Sequence, residues 1–134
     1  MEGFEFVIPE EYRSPESVEV ARVLLDFWLN NKEKIKCLMF YQELCNKLSF
    51  RVDSRHVDKY LGDISFACKE NGLPPLSAIV VNKENCFPGQ GFYKAYFPGK
   101  RIKDEDRIVI WNKLFKEICN FPYWNKVLEK YKML

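Results

Sequence analysis

The sequence predicts an α+β fold, a winged helix-turn-helix core with a β-hairpin wing and additional N- and C-terminal helices. Three observations predict it. Apolar residues recur at spacings of three and four through Lys34–Leu48 and again through Val57–Cys68. A β-branched run, "LPPLSAIVVN", follows a Pro-Pro stop and is succeeded at hairpin distance by "GFYKAYF". Further helical patterns flank this core on both sides. The whole of 1–134 reads as a single domain: an N-terminal arm and helix over 1–33, the core over 34–98, and C-terminal helices over 99–134.

Taken in order, "FEFVIPEEY" alternates briefly before Pro9 stops it, which suits a short strand or an extended arm. Ser14 precedes Pro15 with Glu16 in the first turn, a good helix start, and Val18 to Leu29 supply its apolar face. The next helix runs from about Lys34 to Leu48 on Ile35, Leu38, Met39, Leu44, Cys45 and Leu48. Asp53 or Ser54 caps a third helix, whose stripe is Val57, Leu61, Ile64 and Cys68 and whose end is Asn71-Gly72. Gly62 inside it predicts close packing or a local irregularity. Strand, long loop ("KENCFPGQG") and strand then form the wing. "PGKRIKDED" breaks the chain before a helix over roughly Glu105–Asn120, with Ile108, Val109, Trp111, Leu114, Phe115 and Ile118 largely buried. A last short helix starts near Pro122.

Composition narrows the function classes. No 18-residue apolar run exists, and the start "MEGFEFVIPEEYRSPES" has acids and no basic segment, which argues against a membrane span or a secretory signal. Five cysteines without a CxxC predict reduced thiols in a cytoplasmic protein, with Cys37, Cys45 and Cys68 serving as packing. His56 is the only histidine, too few nitrogen ligands for zinc, so no metal and no cofactor is expected. Nor does a Gly-rich strand-to-helix signature cradle a phosphate, and Asp104 and Asp106 read as a solvated helix start. The chain is expected not to be an enzyme. Net charge is +2, unevenly spread: Met1–Glu33 carries three basic and eight acidic side chains, Lys34–Pro98 nine and six, Gly99–Leu134 nine and five. A basic body suits a phosphate partner.

One stretch resembles a known family. "FYQEL" at Phe40–Leu44, "SRHV" at Ser54–Val57, "NGLPPLSAIVVN" at Asn71–Asn82 and "GQGF" at Gly89–Phe92 are similar to "TYGEL", "ARAVG", "NPxPxxxPCHRVV" and "GxxGGF". Those are motifs of the DNA-binding domain of alkylguanine-DNA alkyltransferases and alkyltransferase-like proteins. The resemblance covers about 50 of the 134 residues. It implies that Tyr41 turns a phosphate and that Arg55 holds the gap left by a flipped nucleotide. It does not extend to the PCHR motif: Ile79 and Val80 stand where the acceptor cysteine and its histidine would be. Alkyl transfer needs an activated thiol there, so only the scaffold carries over.

The expected function is non-enzymatic binding of double-stranded DNA. Arg55, His56 and Lys59 face outward from the recognition helix, with Ser54 at its start. Tyr41 comes by motif match. Lys47 and Arg51 in the turn, and Lys83 and Lys94 in the wing, reach phosphates. Asp53, Asp58, Asp63 and Glu70 oppose this, being acids on or near the same helix. The alternative is a protein-protein interaction module, a subunit or inhibitor docking on a nucleoprotein complex. Its surface would be the aromatic hairpin "CFPGQGFYKAYF" or the C-terminal helices.

Overall fold

A computed structural model describes residues 4–134. The first three residues of the acidic 1–33 arm lie outside the described residues. The rest is an α-helical assembly. In chain order it has α1 (Pro15–Asn31), β1 (Met39–Phe40), α2 (Tyr41–Lys47), α3 (Asp58–Glu70), β2 (Val80–Val81), α4 (Gln90–Tyr96), α5 (Asp104–Asn120) and α6 (Trp124–Lys132), with short 3-10 turns at Glu10–Tyr12 and Leu76–Ile79.

The winged helix-turn-helix expectation is overturned at its wing. The two strands are two residues each and pair in parallel, Met39 with Val80 and Phe40 with Val81, so they form no hairpin. The segment expected as the second wing strand is the helix α4. The reason lies in side-chain spacing. As a strand, "GFYKAYF" would divide its rings between two faces. As a helix it gathers Phe92, Tyr93 and Tyr96 on one face, burying the first two and leaving Lys94 exposed. A helical assembly without this hairpin is not the architecture that winged helix-turn-helix or alkyltransferase-like implies.

The expected helix over Lys34–Leu48 is also shorter in fact. Lys34–Leu38 is irregular, Ile35 is fully exposed, and only Tyr41–Lys47 is helical. Glu43 starts α2 by accepting the Phe40 N–H at 3.1 Å. The other helices follow their sequence signals. Ser14 caps α1, its Oγ accepting from the Ser17 N–H at 3.1 Å, and Pro15 stands first. In α3 the expected stripe of Val57, Leu61, Ile64 and Cys68 is buried, and Gly72 leaves the helix at φ +69°. Gly62 faces α4, but a Cβ there would meet that of Ala95 at 3.8 Å, an ordinary contact, so the packing of α4 on α3 does not require a glycine at this position. On α5, by contrast, Ile108 and Val109 are exposed, and only Leu114 and Ile118 are fully covered.

Helix α1 packs on α3 and α6, α3 on α4, and α5 on the Leu76–Ile79 turn. The core centre is the run from Leu76 to Val81, buried throughout. Its turn is tied to α3 by the buried Ser65–Ser77 hydroxyl pair and to α5 by the Trp111 indole N–H, which donates to Ala78 O at 2.9 Å. Among the described residues no helix is long and apolar enough to cross a membrane.

The N-terminal arm is extended, with Phe6 and Ile8 buried. Asn71 holds it: its Oδ1 accepts the Val7 N–H at 2.9 Å and its Nδ2 donates to Val7 O at 2.8 Å. Asn71→Ala should therefore free the arm, lowering stability by about 1 kcal/mol in urea denaturation. Protease should then cut between Pro9 and Ser14 sooner than in the parent.

Candidate functional site

Two clefts flank the start of α4, and both are lined by charged and polar side chains. The larger, about 810 Å³, lies between α4, the following loop and the first turn of α5. Five cations line it, Lys94, Lys100, Arg101, Lys103 and Arg107, against one carboxylate, Asp104. The first four make no ion pair among the described residues. Arg107 is the built part. Its guanidinium lies 5.2 Å from the centre of the Tyr93 ring, and the Tyr93 hydroxyl donates to its carbonyl at 3.3 Å. A long contact of 3.5 Å reaches the exposed Asp104, while its buried Nε has no acceptor among the described residues. Burial raises the Tyr93 phenol, and the neighbouring Arg107 charge opposes that rise.

The second cleft, about 540 Å³, lies between the start of α2, the turn before α3 and the loop after β2. Here the structure brings together Tyr41, Ser54, Arg55 and Lys83, four of the residues expected from sequence, with Asp58, Asn82 and Glu84. Tyr41 is buried, and its hydroxyl accepts the Gly89 N–H at 2.8 Å, tying α2 to the start of α4. Burial pushes that phenol well above its ordinary range. Its visible work is therefore to position α4. Two contacts hold the loop below Ser54 and Arg55. Glu19 of α1 accepts from the Ser49 N–H and hydroxyl, and Asp53 accepts the backbone N–H groups of Arg55 and His56, each at 3.0 Å.

The remaining expected residues are dispersed. His56 is exposed and its Nδ1 lies 2.6 Å from the Asp53 carboxylate, which that contact holds below the usual range. Lys47 lies against the α1 side with Asp26. Lys59 sits over the Tyr60 ring at 5.6 Å, and Arg51 is exposed; neither lines either cleft. With no wing to share, Lys83 and Lys94 line different clefts.

Asp58 has the least settled environment. It opens α3, is half-buried, and makes no hydrogen bond or ion pair among the described residues. Gly91 makes room for it: a Cβ on that residue would stand 2.6 Å from Asp58 Oδ2. Desolvation raises its pKa. A carboxyl raised above its unfolded value is most favourable to folding below that value and becomes a liability as pH rises through the folded pKa. Asp58→Asn should thus raise the urea midpoint at pH 7 and leave it unchanged near pH 3.

Sequence reasoning missed Asp58 as a site residue and, apart from Lys94, missed the basic cleft. The signal for the latter was present in "GKRIK", three cations in four residues just ahead of an acidic helix start.

All five cysteines are free thiols; Cys45 and Cys68 are buried, Cys37 partly so, and Cys86 and Cys119 exposed. Burial lifts Cys68 to about 12, which makes it inert packing. Among the described residues no group of three or more His, Cys, Asp or Glu is placed to hold a metal ion. A scan of protein-family models, a search of curated proteins and a search of solved structures give no match to this chain.

Proposed function

We propose that this chain binds nucleic acid by its phosphate backbone, with DNA as the first form to test. The observation that carries the reading is the basic cleft: five cations against one carboxylate around a concavity of about 810 Å³, four of them without an ion pair among the described residues. Crowding like charges costs free energy in the isolated protein, and a phosphate backbone is the common ligand that offsets it. The cleft also explains how a chain of net charge +2 serves this purpose, because eight of its nineteen acids lie in the first 33 residues, which carry only three cations.

The test is titration of a fluorescent duplex of about 20 base pairs, and of one of its strands, at roughly 50 and 200 mM salt. Binding in the micromolar range that weakens steeply with salt supports the reading. No binding of either form at the lower salt overturns it.

Protein docking is the second reading. The aromatic hairpin offered for it does not exist, since α4 buries Phe92 and Tyr93. What favours it instead is the neighbouring pair Ile108 and Val109, exposed on α5 beside Arg107.

A further inference from the structure

We infer that the second cleft takes the Watson–Crick edge of an unpaired guanine, held by the Asp58 carboxylate, from a strand whose phosphates lie in the basic cleft. This rests on the nucleic-acid reading above and names what the second cleft would read.

Asp58 carries the argument. Asp58 lines the cleft without a hydrogen bond or an ion pair among the described residues, although Arg55 stands only three residues before it. The fold accommodates this group with a glycine: any side chain at Gly91 would begin 2.6 Å from Oδ2. An ionised carboxylate only accepts hydrogen bonds, through two oxygens side by side. Guanine alone among the bases has two adjacent N–H donors on one edge, N1–H and the N2 amino group. Adenine and cytosine place a ring nitrogen acceptor beside their amino group, and thymine sets its N–H between two carbonyls. Each of those would turn a lone pair toward the second carboxylate oxygen.

In a duplex the guanine edge is occupied by cytosine, so a recessed acceptor can reach it only in an unpaired base. The cleft, about 540 Å³, falls within the roughly 300–1,000 Å³ of small-ligand pockets. Arg55 and Lys83 also line it and supply donors for guanine O6 or a flanking phosphate. A protein arginine carries the same pair of N–H groups. The neighbouring cleft decides against it, because five cations beyond Gly89–Gln90 repel a basic peptide and attract a strand.

The experiment uses fluorescent strands of about ten thymidines carrying one central guanine, hypoxanthine or adenine. Hypoxanthine is guanine without its N2 amino group. The parent protein should bind the guanine strand about tenfold tighter than the hypoxanthine strand. Asp58→Asn should bring guanine down to the hypoxanthine level. Lys100→Ala/Arg101→Ala should weaken all strands by the same factor. Equal binding of guanine and hypoxanthine strands by the parent overturns this inference and leaves backbone binding standing. A guanine preference that survives Asp58→Asn also overturns it. No binding of any strand at low salt overturns both readings, and an arginine-rich peptide bound by the parent but not by Asp58→Asn would then give the cleft to a protein. Circular dichroism checks that Asp58→Asn is folded, and the comparison of bases on the parent protein needs no variant.

Discussion

Reversing three cations of the basic cleft, Lys100→Glu/Arg101→Glu/Lys103→Glu, should weaken nucleic-acid binding by at least about 100-fold at roughly 100 mM salt. Binding by counterion release gives log K a slope of about −0.9 per phosphate neutralised, so losing three contacts should flatten the salt dependence by about three units. Reversal adds repulsion on top of that loss. The fold should survive, because all three side chains are exposed and none is ion-paired among the described residues.

A control separates the cleft from overall charge. Arg22→Glu/Lys32→Glu/Lys34→Glu also takes the net charge from +2 to −4, but those residues lie on α1 and just beyond it and line neither cleft. If both triples lose binding equally, the protein is responding to its total field. If only the cleft triple does, the five cations act as a local site. The shape of the salt plot distinguishes a misfolded variant from one that has lost contacts, since only the latter keeps a residual, shallower slope.

How far the sequence disclosed this arrangement depended on the range of the interactions involved. Helices α1, α3, α5 and α6 were legible because their signals are local: the Ser14-Pro15 start, the Val57–Cys68 stripe, the three acids that open α5, and Pro122. The failures are non-local. Ile35, Leu38 and Met39 have helical spacing, yet Met39 is claimed by a parallel pairing with Val80, 41 residues away. No local pattern reveals such a partner. At α4 a β-branched run followed by aromatics suggested a hairpin, whereas a face of α3 around Gly62 was available to bury Phe92 and Tyr93 as helical neighbours.

The site divides in the same way. Motif resemblance pointed to Tyr41, Ser54 and Arg55, and these share a cleft with Lys83, which was expected there only as part of a wing that does not form. The cations from Lys100 to Arg107 went unnoticed because a cleft is made by the packing of two helices, and "PGKRIKDED" by itself is only a break in periodicity. Asp58 was counted as an obstacle to phosphate, which is correct for an exposed acid. Its lack of a partner is visible only in three dimensions.

Trp28→Ala should be the most damaging core substitution, costing about 3–5 kcal/mol against a total stability of about 5–15 kcal/mol. The ring is 1% exposed on α1 and meets Phe115 edge-on with centroids 5.9 Å apart. Phe115 stacks on Trp111 at 5.0 Å, and Trp111 meets Phe87 at 5.4 Å in the loop that follows β2. Four rings in series thus connect α1 through α5 to the segment leading into α4, which separates the two clefts. Removing the first ring leaves a cavity at the foot of α5, whose other end carries Arg107.

The indole N–H of Trp28 is buried without an acceptor among the described residues, which costs stability in the parent. Trp28→Phe removes that unpaired donor while keeping a ring against Phe115, so its loss should be below about 1.5 kcal/mol. Urea denaturation followed by far-ultraviolet circular dichroism measures both variants without relying on the tryptophan removed. Equal destabilisation by the two would mean that the indole fills its space so closely that shape outweighs the orphaned N–H. A small loss for phenylalanine and a large one for alanine would mean that ring contact is what α5 needs. In that case Trp28→Phe should retain nucleic-acid affinity within about twofold, because the cleft depends on where α5 stands and not on the chemistry of the ring that supports it.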